Sequence, residues 1–113
     1  MTEPRLKTEL WVQAQVRICD LQFLPIVVRR RGDPDAGAIL LRLLRDRGQS
    51  LLLKRIAGSG GMPAWMAVGG TGAIDEPAAE AYIAREAGRD DDLWVVEIDD
   101  PKERYVLDGR IES

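Results

Sequence analysis

The stretch from Ile26 to Ile56 constrains the fold more than any other part of this sequence. It contains three runs of branched and aliphatic residues separated by two clusters rich in Gly, Asp and Pro. In chain order, the runs and clusters fall at 26–31, 32–37, 38–45, 46–49 and 50–56. Such runs between turn-forming residues are typical of strands joined in hairpins. We therefore predict three strands with short turns, which favour antiparallel pairing.

The middle strand of the three is apolar on both of its faces. Ile39, Leu41 and Leu43 point to one side. The residues that point to the other side are Ala38, Leu40, Arg42 and Leu44. A strand that is apolar on both sides is typical of a central position in the sheet. We expect some cover on each side of this strand.

Helical patterns flank the three strands. Residues 8–24 carry a stripe of apolar residues at helical spacing, Thr8 is a suitable N-cap, and Pro25 ends the pattern. A second helix is predicted from the N-cap Asp75 to Gly88, and a fourth strand at 93–99. The predicted order is α-β-β-β-α-β, which indicates an α+β, two-layer domain. We expect two helices on one face of an antiparallel sheet of about four strands.

The same periodicities predict the core and the less ordered segments. Six glycines between Ala57 and Ala73 predict a mobile loop without regular structure. Residues 101–113 are predicted to form a tail with, at most, a short edge strand at 105–107. The ordered core is expected at about 5–100 within a single domain, 1–113. The residues predicted to be buried are Leu10, Ile18, Leu21, Val28, Leu41, Ile83 and Val96.

Composition excludes several classes of chemistry. The chain has no histidine, so Ser-His-Asp and Cys-His mechanisms and imidazole zinc sites are unavailable. The single cysteine, Cys19, cannot form an intrachain disulfide, and we interpret it as a packing residue. No cofactor is expected. Without an apolar signal core or a run of ~20 apolar residues, we expect a cytoplasmic protein with no membrane partner.

Charge is distributed unevenly along the chain. Residues 1–55 carry 11 basic and 6 acidic side chains, whereas residues 56–113 carry 5 and 13. Such an asymmetry is consistent with a basic binding face, an acidic tail, or two halves that attract each other within one fold. For a compact domain of this size we favour the attraction of the two halves.

An arginine-rich block is the strongest polar feature and the candidate binding site. It could bind phosphate groups of a nucleic acid, bind an acidic protein surface, or form a solvated rim that protects a sheet edge. Few aromatic residues lie near it to stack on bases, so nucleic acid is the less favoured partner. The candidate binding residues are Arg29, Arg30, Arg31, Arg42, Arg45 and Arg55.

A group of carboxylates at the end of the fourth predicted strand is a weaker candidate. Glu97, Asp99 and Asp100 are the type of oxygen ligand that Mg²⁺ prefers, and a metal-dependent hydrolase would use such ligands. Exposed acidic residues at strand ends are common, so we assign no metal site and no catalytic residue here.

Three classes of function therefore remain. The first is a non-catalytic binding or adaptor domain acting through protein contacts or self-association, which we favour. The second is a nucleic-acid-associated protein that uses the arginine block, and the third is a metal-dependent hydrolase that uses the carboxylates.

Four parts of the chain, within about residues 5–100, carry a recognisable pattern: Arg5–Ala14, Val27–Arg30 with Gly32-Asp33 and Asp35–Ala38, Glu80–Glu86, and Asp92–Ile98. In these segments the chain resembles a known family of short alphaproteobacterial proteins. That family is known only as a conserved domain of unknown function. The resemblance therefore implies no activity, ligand or catalytic residue.

Overall fold

The structure, a computed structural model, describes residues 6–112, so Arg5 lies outside the described residues. Two helices and seven strands form a mixed α+β architecture, which confirms the predicted class but not the predicted number of strands. In chain order the elements are α1 Thr8–Leu21, β1 Ile26–Arg30, β2 Ile39–Leu44, β3 Gln49–Ala57, β4 Pro63–Ala67, β5 Ile74–Asp75, α2 Glu76–Arg89, β6 Trp94–Asp99 and β7 Arg110–Glu112. Within 6–112, no helix has the length and apolar character needed to cross a membrane.

All seven strands belong to one sheet, in the order β1-β6-β2-β3-β4-β7, with the short β5 beside the start of β3. β2 and β3 form the predicted antiparallel hairpin, in which Leu41 lies opposite Leu53. β1 does not pair with β2, because β6 lies between them, antiparallel to β1 and parallel to β2. β4 and β7 are also parallel. The prediction of a wholly antiparallel sheet of about four strands is therefore wrong.

The inner position of β6 follows from its apolar residues, which point to both faces. Trp94 and Val96 contribute to one core and Val95 to the other, so an inner position removes both sets from water. The connection from β1 to β2 must then pass over the end of β6. There a Cβ atom on Gly32 would lie 2.0 Å from the carbonyl oxygen of Asp92, so no side chain fits at that position.

The two helices cover opposite faces of the sheet, which corrects the prediction that both lie on one face. Leu41 and Leu43 of β2 pack in the core that contains α1, whereas Leu40 packs in the core that contains α2. We call these sides the α1 face and the α2 face. A central strand that is apolar on both sides needs cover on both sides, and one helix supplies it on each.

Helix α1 is rotated from the predicted orientation. Leu10, Ile18 and Leu21 are exposed rather than buried. The residues that α1 buries are Thr8, Trp11, Val12, Gln15 and Cys19. Trp11 has more apolar surface to bury than any leucine. The hydroxyl of Thr8 also donates to the Gly37 carbonyl at 2.9 Å, which helps to set the rotation.

The remaining predicted core residues lie in the strands and in α2. Leu41, Ile83 and Val96 are buried, as predicted. Val28 is only half-buried, because β1 is an edge strand that pairs on one side with β6. Truncation of Leu41, Ile83 or Val96 should therefore disturb the core more than truncation of Val28 does.

The glycine-rich segment contains a strand that the sequence analysis missed. β4 pairs with β3 and contributes the fully buried Trp65 to the core on the α1 face. The prediction that Ala57–Ala73 lacks regular structure is therefore wrong at 63–67. Burial of one large aromatic side chain stabilises the strand despite glycine-rich loops on both sides.

The predicted tail is packed against the body of the protein. Tyr105 is buried, and its hydroxyl donates to the side-chain oxygen of Gln15 in α1. The chain then reaches β7, which adds a strand beside β4. Residues 105–107, where an edge strand was considered, are not a strand.

Candidate functional site

The centre of the predicted arginine site is an internal ion-pair network on the α2 face. The buried Arg42 of β2 places Nη1 2.6 Å from Glu80 Oε2 and 2.9 Å from Glu97 Oε2. Its Nε donates to the Ser50 hydroxyl at 2.9 Å. Arg29 of β1 contacts the same two carboxylate oxygens, also at 2.6 and 2.9 Å. The network thus joins β1, β2 and β6 to α2.

The network favours the ionised states of Glu80 and Arg29. The hydrogen bond from Arg29 lowers the pKa of Glu80, and the charges of Arg29 and Arg42 lower it further, while burial opposes the effect. Hydrogen bonds to Glu80 and Glu97 raise the pKa of Arg29. Two guanidinium groups thus neutralise two carboxylates. This arrangement is suited to holding α2 on the sheet.

The other members of the arginine block lie apart from this network. Arg30 donates to the backbone carbonyl of Leu93 at 2.6 Å, and Arg31 pairs with Glu9 of α1 at 2.9 Å. Arg45 donates to the carbonyl oxygen of Asp100 at 2.9 Å. The structure therefore brings Arg29 and Arg42 together but does not gather the six arginines onto one surface.

Arg55 belongs to a second cluster, on the α1 face. Its guanidinium carbon lies 5.3 Å from the ring centroid of Trp11 and 5.7 Å from that of Trp65. The two indole N–H groups donate to Asp108, at 2.7 Å from Trp11 and 3.3 Å from Trp65. Asp108 thereby ties the C-terminal segment to α1 and β4. No local pattern in the sequence indicates this role, because the partners are far apart along the chain.

The carboxylates considered as metal ligands do not converge. Glu97 is held in the Arg29–Arg42 network, and Asp99 is exposed. Asp100 is buried and accepts backbone N–H groups from Arg104 and Tyr105, both at 2.8 Å. Across residues 6–112, no three His, Cys, Asp or Glu side chains are grouped so that they could hold a metal ion.

Cys19 lies in the core on the α1 face. Burial raises the pKa of its thiol, and the nearby carboxylates of Asp100 and Asp20 raise it further. Burial likewise raises the pKa of Tyr105. Both groups are therefore neutral at physiological pH, and neither is an activated nucleophile.

An open cavity lies beside the β3–β4 turn and β7. It encloses about 510 Å³ and is lined mainly by apolar atoms, including Met62, Pro63 and Ala64. Asp108 and Arg110 also reach it. Asp108 is already bonded to two indoles, so its carboxylate is not free to bind a ligand in this cavity.

The outer face of α1 is the main unexpected feature. We use this name for Leu10, Ala14, Ile18 and Leu21 of the helix together with Phe23, two residues after the helix ends. All five are exposed. Leu21 is 71% exposed and Phe23 is 89% exposed. Three of these residues were predicted to be core residues. The sequence thus shows the apolar stripe but not whether that side of the helix faces the core or the solvent.

Phe23 also adopts an unusual backbone conformation. Its φ of 57° is left-handed, a conformation that favours glycine. The backbone N–H of Phe23 bonds to the Asp20 carbonyl, and that of Leu24 bonds to the Cys19 carbonyl at 2.9 Å. These two bonds define a Schellman motif that ends α1 with an exposed phenylalanine where glycine is usual.

The fold and these clusters define a small α+β protein whose arginine block is bonded internally and whose first helix is apolar on both sides. The chain belongs to the family described as protein of unknown function DUF1491, whose model matches residues 6–108. This confirms the resemblance to a family of unknown function. Among curated proteins, nothing matches this chain.

Solved structures of relatives agree with this fold. The crystal structure of a DUF1491 family protein from Caulobacter crescentus is 35% identical, with a TM-score of 0.82, and the match covers 96% of this chain and all of the other. An NMR structure of a DUF1491 family protein from C. crescentus is 36% identical, with a TM-score of 0.80 and coverage of 96% and 97%. A solution structure from A. tumefaciens is 26% identical, with a TM-score of 0.77 and coverage of 96% and 98%. Both organisms are alphaproteobacteria.

Proposed function

We propose that this protein is a non-catalytic binding domain that acts through protein–protein contacts. The observation that carries the proposal is the outer face of α1, where Leu21 and Phe23 are 71% and 89% exposed although α1 also has a fully packed inner side. Apolar side chains grouped at helical spacing on a surface are typical of a site where another helix packs. The expected occupant is therefore the apolar face of a helix from a second polypeptide.

The internal pairing of the arginine block supports this choice over the two alternatives. A nucleic-acid site needs guanidinium groups that are free to meet phosphates, whereas Arg29 and Arg42 are held by Glu80 and Glu97. A hydrolase needs convergent carboxylates, and Asp100 is instead bonded to backbone N–H groups. A cytoplasmic location is part of the proposal, supported by the single, buried cysteine.

The test is affinity capture with the wild type and two matched variants, followed by reconstitution with the purified captured polypeptide. Leu21→Glu places a charge on the outer face, and Val106→Glu places one on an apolar residue that is 79% exposed and lies outside the helices and strands. We expect direct binding by the wild type and by Val106→Glu, and loss of binding by Leu21→Glu. Equal binding by all three proteins would contradict the proposed surface, and binding of nucleic acid in its place would favour the second class.

A further inference from the structure

We propose that Trp11, Arg55 and Trp65 form a binding site for a small apolar carboxylic acid, and that the side chain of Asp108 occupies this site from within the same chain. We call these three residues the carboxylate site. Asp108 is then an internal competitor, which an external carboxylate displaces. The inference goes beyond the proposed function, because the carboxylate site is separate from the outer face of α1.

The donors of the carboxylate site converge on a single carboxylate group. The indole N–H of Trp11 donates to Oδ2 of Asp108 at 2.7 Å, and that of Trp65 donates to Oδ1 at 3.3 Å. Nη2 of Arg55 lies 3.9 Å from Oδ2. Each oxygen therefore has its own N–H donor, with a positive charge close by. Such a set of donors suits an ionised carboxylate, which only accepts hydrogen bonds.

The donors are held by the body of the protein rather than by Asp108. Arg55 of β3 lies directly opposite Trp65 of β4 in the antiparallel register. Trp11 packs on Trp65 with ring centroids 5.5 Å apart, and both indoles are buried. Within residues 6–112, Arg55 forms no ion pair other than the one with Asp108. Packing of this kind keeps the donors in place when the acceptor changes.

The acceptor, by contrast, belongs to a segment without regular structure. Residues 100–109 contain no helix or strand, and the side chain of Asp108 is 39% exposed. Gly109 follows with a φ of 133°, and the backbone of glycine changes conformation more freely than that of other residues. Such segments open locally at a lower free energy than a sheet does. Asp108 can therefore leave its donors while the sheet stays folded.

The neighbouring cavity determines what kind of acid fits. Asp108 lines the open cavity of about 510 Å³ beside β7, whose other lining residues include Met62, Pro63 and Ala64. This volume is within the range of small-molecule sites, about 300–1,000 Å³. A ligand whose carboxylate replaces that of Asp108 thus has a mainly apolar space next to it. An acid with an apolar body fits this space better than a wholly polar anion.

The test is a ligand titration followed by NMR of the indole N–H signals. The chain has three tryptophans, and the third, Trp94, donates to the Asp33 carbonyl and serves as an internal reference. The probes are sodium benzoate, benzamide and sodium acetate at constant ionic strength. Benzamide keeps the ring of benzoate without its charge, whereas acetate keeps the charge without the ring.

We expect benzoate to shift the Trp11 and Trp65 signals of the wild type saturably, acetate to bind more weakly, and benzamide to have no such effect. Asp108→Ala removes the internal competitor. It should bind benzoate about tenfold more tightly or better, because apparent affinity rises with the fraction of empty sites.

A second substitution tests the positive charge of the site. Arg55→Gln, added to Asp108→Ala, should weaken benzoate binding, because it removes that charge. Arg85→Gln in the same background is the matched control, since Arg85 also lies over an aromatic ring, that of Tyr82, but on α2. Equal losses from Arg55→Gln and Arg85→Gln would contradict the assigned site.

Several results would overturn the inference. One is the lack of a saturable shift with benzoate in Asp108→Ala, and another is an equal shift with benzamide. Benzoate binding to Asp108→Ala but not to the wild type would show that Asp108 is a permanent structural contact rather than a competitor. If Asp108→Ala does not fold, the wild-type titration decides, because the comparison of benzoate with benzamide needs no variant.

Discussion

At the residue scale, the protein depends on a few side chains that lie at the centre of the sheet. Leu41 is completely buried between β3 and β6 and packs beneath α1. Leu21 has the same chemistry but is 71% exposed. These two leucines give a matched comparison, because the same truncation removes the same atoms from a buried and an exposed position.

We expect Leu41→Ala to lower the free energy of unfolding by about 2–5 kcal/mol, because it removes buried methyl groups and leaves a cavity. Leu21→Ala should change it by less than about 0.5 kcal/mol when measured at high dilution. Urea denaturation followed by tryptophan fluorescence measures both. Equal effects of the two truncations would contradict the burial assigned to them.

The Arg29–Arg42–Glu80–Glu97 network makes stability depend on pH in a defined direction. The arginines lower the pKa of Glu80 in the folded state, first through the hydrogen bond from Arg29. A carboxyl with a lowered folded pKa stabilises the protein above its unfolded pKa of about 4.3, and this contribution is lost as pH falls through the folded pKa.

We therefore expect Glu80→Gln to be less stable than the wild type at neutral pH and the difference to shrink as pH falls below about 4. Thermal unfolding between neutral and acidic pH measures this difference. Asp99→Asn is the control, because Asp99 is exposed and forms no ion pair in the described part of the chain. A difference that stays constant with pH would show that the charge of Glu80 is not responsible.

At the scale of elements, the end of α1 and the strand β4 both depart from local preference. Phe23 occupies a left-handed position that costs an L residue about 1–2 kcal/mol, and its ring gains little from packing because it is 89% exposed. In β4, Trp65 is fully buried between two glycine-rich loops.

Replacing Phe23 by glycine should stabilise the monomer by about 0.5–1 kcal/mol, since glycine adopts the left-handed conformation without strain. Phe23→Ala is the matched control, because it removes the ring and keeps the Cβ atom that causes the strain. In chemical denaturation at high dilution, the glycine variant should have a larger free energy of unfolding than the alanine variant. The reverse order would contradict the strain argument.

For the glycine-rich segment, we expect limited proteolysis to cut at 58–62 or 68–73 and to spare 63–67. The first two ranges carry glycines of positive φ, including Gly60 and Gly69, and β4 between them is paired with β3. Mass spectrometry of the fragments identifies the first cut. Initial cleavage within β4 would show that burial of Trp65 does not protect the strand.

At the scale of the whole molecule, contacts between distant parts of the chain close the fold. Ion pairs such as Arg42–Glu80 and Arg45–Asp100 join the basic first half to the acidic second half, in agreement with the favoured interpretation of the charge asymmetry. Asp108, near the end of the described chain, accepts hydrogen bonds from Trp11 and Trp65.

We expect Asp108→Ala to destabilise the protein by about 1–3 kcal/mol. The change leaves the Trp11 indole N–H without its acceptor and leaves the Trp65 indole N–H with only the backbone carbonyl of residue 108, at 3.4 Å. Asp108→Asn should cost less, since its amide oxygen can still accept. Denaturation followed by near-ultraviolet circular dichroism reports on the tryptophan environment as well as stability. An asparagine variant less stable than the alanine variant would contradict the hydrogen-bond argument.

The sequence by itself determined the elements that local periodicity and capping control. The β2–β3 hairpin was predicted from two apolar runs and the turn between them, and the structure confirms it. Asp75 caps α2 as predicted, because its carboxylate accepts from the Ala78 N–H three residues later. The apolar alternation of β2 also indicated a central strand. Each of these signals acts between residues that are close in sequence.

Only the tertiary structure decided which surfaces meet. The position of β6 between β1 and β2, the placement of the helices on opposite faces and the pairing of Asp108 with two tryptophans each join segments far apart in the chain. α1 carries apolar residues on two sides, so its periodicity fits either rotation. Burial of Trp11 in the core selected one rotation and left the other apolar stripe exposed, because the core has room for only one side of the helix.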